Sequence, residues 1–220
     1  MVVATEENCF ILILYTMNQI VKNAWQQAMD YASYRQMVGK LVAEGRTTGP
    51  NQSEDLAHYT KLNESRMKRL DRTTQLDAEL NEAVSRITSP QQWLLITEAW
   101  CGDAAQSVPI IAALAAQNPQ IQLRLLLRDE YPEVMDLYLT NRGRSIPKLV
   151  IFDAEAAEEL GQWGPRPAEA EQLRLKLKGQ PDLPYSEIAS QLQQWYTRDK
   201  GQQVQRELLN LLQAIEQVRA

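Results

Sequence analysis

One cysteine has the setting in which thiol chemistry is expected. Cys101 stands between the apolar run Leu94-Leu95-Ile96 and a segment, Gly102-Asp103, that reads as a turn opening a helix. Glycine tolerates the backbone of such a turn, and aspartate accepts hydrogen bonds from the free N–H groups of a first helical turn. A thiol placed there faces unpaired N–H groups and the positive end of the helix dipole. Both stabilise a thiolate, so the spacing predicts a partly exposed, acidic and nucleophilic Cys101. Helix follows over Ser107 to Gln117, and the apolar run before the cysteine reads as a buried strand.

The stretch Ala99-Trp100-Cys101-Gly102-Asp103-Ala104 resembles the active-site loop of thioredoxins, written W-C-G-P-C. Pro109, eight residues after the cysteine, is similar to the proline that kinks the family's active-site helix. Arg144-Ser145-Ile146-Pro147-Lys148-Leu149-Val150-Ile151-Phe152 resembles the segment in which a cis-proline leads into an apolar strand. The likeness covers Gln91 to Leu177. It implies a thioredoxin-like α/β fold, with a central mixed sheet flanked by helices and with Pro147 cis and facing the cysteine. It also implies a groove in which Trp100, Gly102, Asp103, Ile146 and Pro147 bind a partner strand. Two positions depart from the pattern. Ala104 stands where the second, resolving cysteine belongs, and Leu95 stands where the family buries a proton-carrying carboxylate. Glu98 is nearer the cysteine, but strand alternation need not aim it at the sulfur.

A single thiol cannot resolve its own mixed disulfide. Two functions are therefore open: a monothiol redox protein, with Cys101 pairing with a protein or low-molecular-weight thiol, or a non-catalytic thioredoxin-like binding module. The resemblance calls for no cofactor, and neither a phosphate-binding loop nor clustered metal ligands can be read from the sequence. With 28 acidic and 23 basic residues, a net charge of −5 and no basic block, nucleic acid is a poor partner. Two cysteines, Cys9 and Cys101, make no disulfide framework and point to a reducing cytoplasm. The apolar run Cys9 to Tyr15 is too short to cross a bilayer and lacks the basic lead of a secretion signal.

The remaining chain must position these groups. Residues 1–16 read as an N-terminal extension, upstream of a helical pattern that begins at Met17. Helical spacing through Tyr31, and again from Leu56 to Ile87, predicts an N-terminal hairpin over 17–88. Along its second arm Lys61, Arg66, Lys68, Arg69 and Arg72 lie among Glu64, Asp71 and Asp77, which reads as a solvated face rather than an anion site. His58, the one histidine, reads as a surface residue. The thioredoxin-like part spans 89–178, with strands at Trp93, Ile121–Leu127, Lys148–Phe152 and Glu159–Trp163. After a Gly/Pro linker, an apolar stripe over 185–220 predicts a C-terminal helical segment that packs on the rest or pairs two copies as a homodimer.

Overall fold

The computed structural model describes residues 19–219. Cys9 and the 1–16 extension lie outside the described residues. Helical residues 19–27 (α1) are followed by α2 (Tyr31–Ala43), α3 (Glu54–Thr73) and α4 (Ala78–Ser85). Then come β1 (Gln91–Thr97), α5 (Gly102–Ala115), β2 (Ile121–Leu127), the short α6 (Pro132–Met135), β3 (Lys148–Asp153) and β4 (Glu159–Trp163). Three helices close the chain: α7 (Ala168–Lys178), α8 (Tyr185–Asp199) and α9 (Gln202–Arg219).

The sheet runs in the order β2-β1-β3-β4. β1 pairs parallel with β2 across the α5 crossover and antiparallel with β3, and β3 pairs antiparallel with β4. The central strands are apolar without alternation because both of their faces are covered. Trp93, Leu94, Leu95 and Ile96, and Leu149, Val150 and Ile151, are all fully buried. The outer side of β2 carries a one-residue bridge from Met29 to Leu125, closed by hydrogen bonds of 3.0 and 2.7 Å. Arg124 of β2 donates to the Trp25 and Ala28 carbonyls at the end of α1 and lies over the Trp25 ring.

The helical extensions share the core of the sheet. Tyr34 and Val38 of α2, Met67 of α3 and Leu80 and Val84 of α4 join it from the N-terminal side. Val204, Leu208, Leu212 and Ile215 of α9 join it from the other end. α8 is tied in differently, through a small separate cluster of Ala170, Leu192 and Tyr196.

Three continuous patterns in the sequence are broken in the structure, the first at Ala28 to Asp30, where Met29 leaves the helix to bridge Leu125. The second arm of the hairpin divides at Thr74–Asp77 into α3 and α4, where Thr73-Thr74-Gln75 interrupts the apolar spacing. Gln205 of α9 fills the gap: its side-chain oxygen accepts from the Asp77 N–H at 2.8 Å and its amide donates to the Gln75 carbonyl. The C-terminal stripe is likewise two helices. Lys200 and Gly201 both take positive φ (56° and 81°), and a Cβ on Gly201 would come within 2.4 Å of Ile110 Cδ1. That elbow needs glycine both for its backbone and for its close approach to α5. The segment Tyr131 to Leu139 holds only the four-residue α6.

Candidate functional site

Cys101 is the N-cap of α5. Its Sγ accepts from the Ala104 N–H at 3.4 Å, which is the role a serine or aspartate side chain usually fills. The thiol in turn donates to the Ile146 carbonyl at 3.4 Å, across the cis Ile146–Pro147 bond. Cysteine and proline loop therefore face each other.

The expected exposure and acidity of Cys101 are not found. The residue is 8% exposed. Burial pushes the thiol up to about 12, and the Asp103 carboxylate adds to the rise. The Ala104 and Asp103 N–H groups and the Arg166 guanidinium pull the other way without prevailing. A helix start lowers a thiol pKa only while the thiolate keeps water or a cation, and here the desolvation cost is larger.

The other residues of the loop are engaged by the helical extensions. Asp103 accepts from Arg166 Nε and Nη2 at 2.9 and 2.7 Å and from the Tyr196 hydroxyl at 2.8 Å. Arg166 also reaches Glu171, which pairs with Arg174. Although burial works against the Arg166 charge, these carboxylates hold its pKa above the usual arginine value. Gly102 lies under α8: Gln193 donates to its carbonyl at 3.3 Å and accepts from Gln106 at 2.8 Å. Trp100 is half-buried, with the Arg128 guanidinium 4.7 Å above its ring. Asn63, fully buried on α3, donates to the Ala99 carbonyl at 2.9 Å and accepts from Arg66 at 2.7 Å. Sequence reasoning passed over Asn63, although its place among Thr60, Met67 and Leu70 on the inward face of α3 marks a polar group that must be satisfied.

Glu98 is fully buried and points away from cysteine chemistry. It accepts from the Thr48 hydroxyl and, at 2.8 Å, from the Asp129 N–H. It thereby ties the loop before α3 to the turn after β2. Burial pushes its carboxyl up to about 7 against those two hydrogen bonds.

Over the start of α5 opens a cleft of about 1140 Å³. Its floor is Trp100 to Asp103, its rim Ser145 and Ile146, and its walls α3 and α8. Of the residues expected to bind, Trp100, Gly102, Asp103 and Ile146 line this cleft together with Cys101. Pro147, also expected to bind, is not among the residues that line it. Among the described residues, no three His, Cys, Asp or Glu side chains converge as metal ligands would. Among those residues, too, no helix is long and apolar enough to cross a membrane.

A family model described as thioredoxin matches residues 49–178. The chain belongs to the thioredoxin family. Two solved structures are similar to this thioredoxin-like chain. One is an HIV epitope-scaffold, with 18% identity and a TM-score of 0.54, matching over 87% of this chain and 96% of its own. The other is a protein of unknown function from Pseudomonas aeruginosa, with 18% identity and a TM-score of 0.52, matching over 86% and 95%. At that identity they share the fold alone, and that likeness takes in the helical extensions as well as the family match. No curated protein matches the sequence. The expected fold, a mixed sheet flanked by helices, is the one observed.

Proposed function

We propose that this thioredoxin-like chain is a binding protein, which receives its ligand in the cleft above Cys101 and keeps the thiol neutral and out of disulfide exchange. The observation that supports it best is the state of the sulfur. Cys101 is buried, donates its proton to the Ile146 carbonyl, and has a thiol raised to about 12. At neutral pH its thiolate, the species that attacks disulfides, is only a trace. Ala104, 1% exposed, stands in the resolving position and supplies no thiol there to release a captured partner.

The test is the rate of alkylation of Cys101 in the folded full-length chain, followed by peptide mass spectrometry against pH. The expected profile is slow and still climbing well above about pH 8.5, the value for an ordinary cysteine. A midpoint at or below that value would remove the basis of the proposal.

A second reading has one observation in its favour. Cys101 lies on the cleft floor with two backbone N–H groups directed at it. In that reading a bound disulfide would be attacked by the Cys101 thiolate. One partner sulfur would join Cys101, the other would leave as a thiolate, and an outside thiol would free the pair. Mixed disulfides captured on wild type but not on Cys101→Ser would favour it.

A further inference from the structure

The cleft is far more basic than the chain that builds it. The protein carries a net charge of −5. Yet the cleft lining holds eight arginine or lysine side chains and a single carboxylate, Asp103. Four of the eight are already paired: Arg128 with Asp129, Arg144 with Asp136, Arg166 with Asp103 and Arg174 with Glu171. Arg66, Arg69, Lys178 and Arg198 have no acidic partner among the described residues.

The way α3 is divided explains how this arises. Thr60, Asn63, Met67 and Leu70 face the core. Glu64 and Asp71 turn toward Arg35 of α2, at 3.5 and 3.0 Å. Tyr59, Leu62, Arg66 and Arg69, at spacings of three and four, line the cleft. The mixed charges that look like one solvated face in the sequence are thus sorted. The acids are consumed by Arg35, and two arginines are left over the cleft. Arg66 is also fixed in place through Asn63, whose own amide is bonded to the Ala99 carbonyl of the cysteine loop. Burial and the neighbouring Arg69 charge lower the Arg66 pKa, as expected of a cation that lacks its anion. Beside these cations the wall is apolar, with Leu56 and Leu62 on one side and Tyr185 and Ile188 on the other. Leu62 and Tyr185 are 39% and 75% exposed.

We propose that the cleft binds a small organic anion, its charged head held by Arg66 and Arg69 and its apolar body laid between α3 and α8 toward Cys101. Arginine suits this role because its planar fork offers several donors to a carboxylate, sulfonate or phosphate. At about 1140 Å³ the cleft is slightly larger than the roughly 300–1000 Å³ typical of ligand sites, which leaves room for an apolar body beside the charged head. The proposal rests on the binding-protein reading and gives it a ligand class.

The experiment is a fluorescence titration of the full-length chain with 1-anilinonaphthalene-8-sulfonate. The reference probe is N-phenyl-1-naphthylamine, which has the same rings and no sulfonate. Wild type is expected to bind the anion saturably and more weakly as salt is added. Arg66→Gln with Arg69→Gln is expected to weaken the anion about tenfold and to leave the neutral probe unchanged. Arg69→Gln alone, which leaves the Arg66–Asn63 contact intact, is expected to weaken it about threefold. Lys61→Gln with Lys68→Gln makes the same charge change on exposed residues of the same helix outside the cleft. It is expected to leave both probes unchanged. The proposal is overturned if the arginine pair binds the anion as wild type does, or if both pairs weaken it equally. A low Cys101 titration midpoint beside arginine-dependent binding would sink the non-redox reading and leave this one standing. The reverse result would do the opposite.

Discussion

Replacing Glu98 by glutamine should abolish one specific pH dependence of stability. The carboxyl is fully buried, and its pKa rises from the ordinary 4.5 to about 7. A folded-state pKa above the unfolded value means that the native protein binds the extra proton between those two limits. Stability therefore falls as pH rises through that window, and the cost is fully present above about 7. The gap between the two values is worth roughly 3 kcal/mol at most. In Glu98→Gln the amide oxygen can still accept from the Asp129 N–H. The amide nitrogen can donate to the Thr48 hydroxyl, which already accepts from the Ala99 N–H at 3.0 Å. The Thr48 proton then loses its acceptor, at a pH-independent cost of about 1 kcal/mol. The assay is urea unfolding of both proteins at several values between about pH 5 and pH 8. Wild type should lose about 2–3 kcal/mol more than the variant over that range, and the variant should match or exceed wild type at the upper end. Parallel profiles would refute the reasoning, because all other carboxylates titrate alike in the two chains.

Asp103→Asn should act twice. Loss of the anion facing Arg166 and Tyr196 should cost on the order of 3 kcal/mol in unfolding experiments. The same change removes a charge that raises the Cys101 thiol, so alkylation should shift to lower pH; an unmoved titration would show that burial alone governs the sulfur. Ala104→Cys puts a second thiol one turn after Cys101, and its disulfide should close in mild oxidant with partial reductase activity, since Leu95 supplies no proton carrier. A variant that folds but keeps two free thiols in oxidant counts against a thioredoxin-shaped loop. Gly164→Ala places a Cβ 2.2 Å from the Pro147 carbonyl oxygen at a φ of +110°. It should cost about 3 kcal/mol, whereas Gly179→Ala, with its nearest atom at 3.5 Å, should change stability by less than about 1 kcal/mol. Deleting 185–220 removes Val204, Leu208, Leu212 and Ile215 from the core, and the truncated chain should bind apolar dyes and precipitate; a soluble, equally stable product would make the segment an appendage.

The parts of the molecule legible in the sequence are those whose causes are local. The apolar runs at Trp93 and Leu149 announce strands covered on both faces, and the cysteine, Pro109 and Pro147 occur in the order that the fold requires. Features that depend on distant residues were not legible. The exposure of Cys101 depends on Ile146 and on burial under neighbouring elements, so a helix-start argument made without those partners gives the wrong sign. The break after α3 is stabilised by Gln205, more than a hundred residues later. Likewise Arg66 and Arg69 could be told from their neighbours on α3 only once Arg35 was seen to take Glu64 and Asp71.

The tie from Tyr196 to Asp103 sets an order of events during synthesis. Chains emerge from the ribosome amino end first, and folding units can form as they appear. The sheet, the cysteine loop and Arg166 all precede residue 185. They are available while the far wall of the cleft, α8, is still unmade. Until Tyr196 and Gln193 arrive, Asp103 has Arg166 as its partner without the tyrosine, and Gly102 has no amide above it. During that interval the turn that follows Cys101 is held without α8. Addition of α8 completes the far wall of the cleft and, in the same step, the hydrogen bonds to Asp103 and Gly102.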